Sequence, residues 1–362
     1  MINFISPLTV AFAIILFGYA IGKIRFCNVS LDLSAILLVA IIFGFVISKC
    51  IPNGIEADFN SAMNSYSKLG TAIFVSIIGI TAGLTLKLSS KKTVLYFVIG
   101  SVAVLIGFAI TSLIGYIDTE IDKSILLGIL SGALTSTPAL AAISERTDVI
   151  SENAVIGYGA AYILGVVIVV ISTQITGRNM LKKDIVENKQ IAITVSDGTW
   201  GLILIAICAL IGEIFGKLSL FGYSLGTTGA ILICGIAIGC IIRKSHITSC
   251  AENVFPIYRN LGLILFFVGN GITAGARLNS NISIKWFVCG ILITLVSVMS
   301  VFLICKIFIR NKSIIPSLIA GSMTSTPALG VLVKKGYAVD LTAYSISYVS
   351  ALLTMTIGIK FI

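Results

Sequence analysis

Charge is what this sequence has least of: Asp, Glu, Lys and Arg make up 11% of its 362 residues, and there is a single histidine. Apolar residues make up 57% and the mean hydropathy is +1.08, which excludes an ordinary soluble domain and points to a polytopic membrane protein. Ionisable groups are nearly absent from the apolar segments. Those segments therefore supply neither paired carboxylates nor a nucleophile beside a base, and no enzyme is expected. His246 falls in a polar loop and reads as solvated. The eight cysteines contain no C-x-x-C pair, and five of them, Cys208, Cys234, Cys240, Cys289 and Cys305, lie inside apolar segments as small hydrophobes. Neither a disulfide framework nor a metal site is expected. The N-terminus lacks a positive n-region and a small-residue cleavage site, so its apolar run reads as a retained first span. The formal net charge is +10, but the Lys and Arg residues sit in short runs between apolar segments. That pattern orients a protein in a bilayer and does not call for nucleic acid.

What is present is a duplication. Apolar segments run from Phe4 to Gly22, Leu33 to Ser48, Leu69 to Leu86, Thr93 to Ile117, Ser124 to Ser144 and Ala154 to Ile175. After a polar stretch they resume from Thr199 to Gly216, Tyr223 to Ile242, Leu261 to Gly275, Trp286 to Ile307, Ser313 to Val333 and Leu341 to Gly358. Gly18, Gly22 and Lys23 match Gly212, Gly216 and Lys217 at an offset of 194; Tyr158 and Tyr162 match Tyr344 and Tyr348 at 186. The small drift predicts two membrane repeats, 1–175 and 198–362, joined by a linker, 176–197.

The most informative repeat is Thr135-Ser136-Thr137-Pro138-Ala139-Leu140, which returns as Thr324-Ser325-Thr326-Pro327-Ala328-Leu329. Each proline lacks an N–H, clashes with the carbonyl four residues back and pushes the preceding threonine out of the helical region. The expectation is a helix ending near Leu134, an unwound stretch, and a second helix with Thr137 as N-cap and Pro138 at its first position. Non-helical backbone at membrane depth survives only against protein or a wet cavity, and mirrored breaks in two halves point to a transporter's binding site. A proline kink repaired by neighbouring hydroxyls is the plainer reading.

The basic residues bear on topology. If all six segments of each half cross, the halves are parallel, and the positive charges divide 14 to 11. If each broken segment enters and leaves on one side, each half crosses five times and the halves are inverted. Seventeen of the 25 Lys and Arg residues then lie on one side with the linker, and the positive-inside rule favours this arrangement. The fold class expected is an all-α polytopic membrane protein of two inverted repeats, each with about five transmembrane helices plus one broken or re-entrant helical hairpin. The N-terminus is then outside and the linker cytoplasmic, in a bacterial inner membrane.

At each tip three hydroxyls, unpaired backbone groups and the positive end of a half-helix suit a carboxylate or other small anion. Candidate binding residues are Thr135, Ser136, Thr137, Pro138, Thr324, Ser325, Thr326 and Pro327. Thr81 and Thr273, in the repeated Gly-Ile-Thr-Ala-Gly strings, either line the same cavity or belong to helix contacts made by small residues. Asn270 is either interhelical glue or a ligand. Tyr162 and Tyr348, with Tyr158 and Tyr344, serve as interface anchors or core packing, or touch substrate. Glu213 lies four residues before Lys217 and reads as an interfacial ion pair rather than a proton-coupling carboxylate.

Gly128-Ile-Leu-Ser-Gly-Ala-Leu-Thr-Ser-Thr-Pro-Ala-Leu140, the two Gly-Ile-Thr-Ala-Gly strings and Gly157-Tyr-Gly-Ala-Ala-Tyr162 together resemble the aspartate:alanine exchanger family of bacterial permeases. The resemblance covers the membrane portion. It implies a secondary transporter that exchanges amino acids or small carboxylates. The chain departs from that family in having only a short linker where larger members carry regulatory domains, and in having Ile163 and Val349 where proline tends to follow the second tyrosine. Exchange at the two tips is the leading expectation, with a passive channel or a sodium-coupled symporter of a small anion as alternatives. Sodium as coupling ion is the sole cofactor entertained. The partners expected are the solute, the lipid bilayer and, in a homodimer, a second copy of the chain.

Overall fold

The computed structural model describes residues 6–26, 29–30, 33–50, 56–85, 91–146, 148–178, 199–217, 219–220, 223–224, 226–244, 254–276, 283–335 and 337–361. The linker expected at 176–197 therefore lies almost wholly outside the described residues. The first half comprises α1 (Pro7–Gly22), α2 (Ser34–Cys50), α3 (Glu56–Thr85), α4 (Lys91–Ile117), α5 (Lys123–Ala133), α6 (Thr137–Ser144) and α7 (Ser151–Arg178). The second comprises α8 (Thr199–Gly216), α9 (Gly226–Lys244), α10 (Phe255–Ala276), α11 (Ile284–Phe308), α12 (Ile315–Ser322), α13 (Thr326–Lys334) and α14 (Leu341–Gly358). Beyond helices, the described residues hold two antiparallel pairs of two-residue strands, β1 (Arg25–Phe26) with β2 (Val29–Ser30) and β3 (Ser219–Leu220) with β4 (Tyr223–Ser224), at equivalent places in the two halves.

Eight of the described helices are long and apolar enough to cross a membrane. Their outer faces carry exposed large hydrophobics, such as Leu105 on α4, Leu210 on α8 and Leu303 on α11, a surface that suits lipid rather than water. The protein is an all-α integral membrane protein.

Two helices begin earlier than the apolar runs suggest. The run at Leu69 belongs to α3, which starts at Glu56, and the run at Leu261 belongs to α10, which starts at Phe255. Phe59, Met63 and Phe255 on these polar extensions are buried, so packing extends the helix past the end of the hydrophobic run. The repeated glycines set the approach of the backbones. A Cβ on Gly83 would meet the Ile236 carbonyl, one on Gly79 the Leu232 carbonyl at 2.7 Å, and one on Gly275 the Ile41 carbonyl. The Gly-Ile-Thr-Ala-Gly strings are thus helix-contact surfaces, α3 on α9 and α10 on α2.

The order of these contacts fixes helix directions. Along α3, Gly79 meets Leu232 and Gly235 while Gly83 meets Ile236 and Gly239, so α3 and α9 run parallel. Gly70 meets Phe266, whereas Gly269 meets Met63 and Ser67, so α3 and α10 run antiparallel. The start of α9 and the start of α10 therefore lie at opposite ends of the bundle. The two broken segments also attach at opposite ends of α14. After α6, Arg146 donates to the Ile359 carbonyl just past the end of α14; within α12, Ser317 Oγ accepts from the Asp340 N–H at the cap that starts it, 3.0 Å away.

Candidate functional site

The two broken segments meet tip to tip, and their backbone explains how. α5 closes with the Ser136 N–H bonded to the Ser131 carbonyl (2.8 Å) and the Thr135 N–H to the Gly132 carbonyl (2.9 Å). α12 closes identically, Ser325 to Ala320 (2.9 Å) and Thr324 to Gly321 (2.8 Å). This pair of bonds is a Schellman cap, which places the residue after the cap in the left-handed region and normally puts glycine there. Here threonine occupies it, at φ 54° for Thr135 and 48° for Thr324, a conformation unfavourable for a β-branched residue. The side chains supply the reason. Thr135 Oγ1 donates across to the Met323 carbonyl at 2.5 Å, and Thr324 Oγ1 donates back to the Leu134 carbonyl at 2.9 Å. Glycine would relax the turn and lose both bridges.

The helices after the break differ slightly from expectation. Thr137 is the first residue of α6 rather than its N-cap; Ser136 holds the cap position and makes no capping bond. The Thr137 hydroxyl instead bonds the Tyr158 hydroxyl at 3.0 Å. α13 likewise starts at Thr326, with Ser325 Oγ accepting from the Ala328 N–H at 3.4 Å.

A cavity of about 420 Å³ opens beside the joined tips. Of the candidate residues, Thr135, Thr137, Pro138, Tyr162, Thr324, Thr326, Pro327 and Tyr348 line it. The others do not. Ser136 and Ser325 are fully buried behind the tips. Thr81 bonds the Ile77 carbonyl (2.7 Å) and Thr273 the Gly269 and Asn270 carbonyls (3.2 and 3.0 Å), each within its own helix. Asn270 bonds Ser67 Oγ on α3 and the Phe266 carbonyl, which makes it interhelical glue.

Sequence reasoning missed the charged groups on this wall. Lys23 and Arg259 line the cavity, with Tyr19 and Asn260, and no carboxylate does among the described residues. The early start of α10 at Phe255 places Arg259 one turn inside the helix rather than in a loop. Lys23 Nζ sits 4.4 Å from the Tyr19 ring centroid, a cation–π contact. Glu213, by contrast, is exposed and paired with Lys217 at 3.5 Å, away from the cavity.

Away from the cavity, the end of α6 is tied to the start of α9. Glu145, at the end of α6, accepts from the Thr228 N–H at 2.6 Å and from the Thr228 hydroxyl, at the start of α9. A carboxylate there is favoured by the helix's positive end. Burial pushes the Glu145 carboxyl above the usual glutamate range, opposed by the Thr228 donors and the nearby Lys360. Arg146 next to it pairs with Asp148 at 2.6 Å and bonds Ile359. Because α9 and α10 start at opposite ends, this tie lies across the bundle from Arg259.

Comparison with known proteins agrees with a transporter. A family model described as a predicted permease membrane region, Asp-Al_Ex, matches residues 10–178 and 204–362. Relatives include uncharacterized transporters of Rhodopirellula baltica, 35% identical over 176 residues, and of Corynebacterium glutamicum, 36% identical over 186 residues. Each alignment covers 47% of this chain, and 29% and 32% of the respective relative, so the matched stretch is under a third of those proteins' length. A helical membrane bundle with a cavity at two joined proline tips, matched on both halves by one permease model, belongs to the Asp-Al_Ex permease family.

Proposed function

We propose that the chain is a secondary transporter that exchanges an amino acid or small carboxylate by alternating access at the two T-S-T-P tips. The observation that carries this reading is the cavity at the tips, whose charged wall among the described residues is cationic, Lys23 and Arg259, among threonine and tyrosine hydroxyls. A cavity at the tips, with the Glu145–Thr228 tie outside its lining, suits a carrier. A channel needs a continuous polar path. Inversion of the two halves is supported by the opposite attachment of the broken segments to α14 and by the 17 to 8 division of basic residues.

Purified protein in liposomes tests the function. Saturable counterflow of an amino acid or small carboxylate is expected, with slow efflux until solute is present on the far side. Single-channel currents would replace the carrier with a pore, and uptake that depends on a sodium gradient would replace exchange with symport. Inversion has its own check. Asp148→Cys and Lys335→Cys, both at exposed positions, should label from opposite faces in a cysteine-free background, and labelling from one face would sink it.

A further inference from the structure

The two tips share sequence and backbone but not hydrogen bonding. At the first, the Thr137 hydroxyl is committed to Tyr158. Their counterparts at the second tip are Thr326 and Tyr344, and these are not joined. Among the described residues the buried Tyr344 hydroxyl has no hydrogen-bond partner, and Thr326, exposed on the cavity wall, makes no side-chain hydrogen bond. The same half carries the free charge. Arg259 is half-buried on the cavity wall that Tyr348 also lines, and no carboxylate among the described residues pairs with it. Lys23 is a weaker candidate anchor, being exposed and seated over Tyr19.

A guanidinium only donates, in a planar fork that matches a carboxylate's two oxygens. The Thr326 and Tyr348 hydroxyls beside it can donate as well. We propose that the solute is seated asymmetrically, its carboxylate against the second tip, with Arg259 as the charge anchor and the Thr326 and Tyr348 hydroxyls completing the seat. The first tip then forms the opposing wall, its Thr137 hydroxyl already engaged by Tyr158. This rests on the anion-exchange reading of the same cavity and adds to it the residue that selects a carboxylate.

Thermal unfolding of the purified full chain, at constant ionic strength, tests the seat with acetate, succinate, L-alanine and L-aspartate as organic probes and chloride and phosphate as inorganic ones. At least one carboxylate should raise Tm in the wild type, because a ligand of the folded state stabilises by mass action, while the inorganic anions do not. For that carboxylate, Arg259→Gln should raise the apparent Kd at least tenfold and Thr326→Val at least threefold, with Arg259→Lys intermediate. Thr137→Val should raise it less than Thr326→Val does. Unaltered binding by Arg259→Gln, or a larger loss in Thr137→Val than in Thr326→Val, overturns the seat and leaves the exchanger reading standing. Equal stabilisation by chloride or phosphate overturns the carboxylate assignment. Wild-type protein that no anion stabilises counts against both. If Arg259→Gln does not elute as a single species, Arg259→Lys carries the test, and wild-type affinity in it is the contrary result.

Discussion

Gly83→Val and Gly275→Val should each abolish folded protein. At Gly83 a side chain would have to occupy the place of the Ile236 carbonyl, and at Gly275 that of Ile41, and neither neighbour is the yielding end of a flexible side chain. Overpacking a core usually costs about 1–3 kcal/mol, and separating two backbones along a whole helix contact should exceed that range. Size-exclusion profiles of detergent-solubilised protein are the measurement, with Gly159→Ala as control, where a Cβ would meet two side-chain ends at ordinary contact distance, Ile41 Cδ1 at 3.4 Å and Leu38 Cδ2 at 4.0 Å. Monodisperse Gly83→Val protein would mean that α3 and α9 do not pack through this surface.

The second large effect concerns the crossing hydrogen bonds of the tips. Thr135→Val keeps a β-branched residue in the left-handed region and leaves the Met323 carbonyl without its donor; Thr135→Gly loses the same bond but relaxes the turn. An unsatisfied buried acceptor costs about 1–3 kcal/mol, and strain at such a residue is of similar size. Thr135→Val should therefore unfold at lower temperature than Thr135→Gly, and Thr324 should show the same order. Because each bond spans both tips, the double substitution Thr135→Val with Thr324→Val should lose less than the sum of the singles. Strict additivity in that double-mutant cycle, or valine better tolerated than glycine, would show that the threonines do not bridge the halves.

Much of the fold was legible in the chain. Apolar runs located the helices, the two prolines located the breaks, and recurring glycines marked the contacts of α3 and α10. These are local properties, set by hydropathy, by a missing N–H and by a missing side chain. Other features depend on tertiary partners. Nothing in the letters Thr135 and Thr324 signals a left-handed backbone, since threonine disfavours it; only the carbonyl across the tip accounts for it. The polar start of α3 looks like a loop until Met63 is seen buried against α10. Arg259 lies just before the apolar run that starts at Leu261, and Glu145 just past the one that ends at Ser144; the fold gives the first a cavity and the second a helix end.

The most direct measurement of the central claim, a binding site at the tips open to one face at a time, is the accessibility of Thr326→Cys in a cysteine-free background, in sealed vesicles of known orientation. A membrane-impermeant maleimide should label it from the face that carries Lys23 and Arg259, and a transported solute should slow that labelling. Adding Glu145→Ala, which removes the contact to Thr228, should let the reagent in from the opposite face as well. Equal labelling of the Thr326→Cys protein from both faces with Glu145 in place, or labelling that no transported solute slows, would contradict the account.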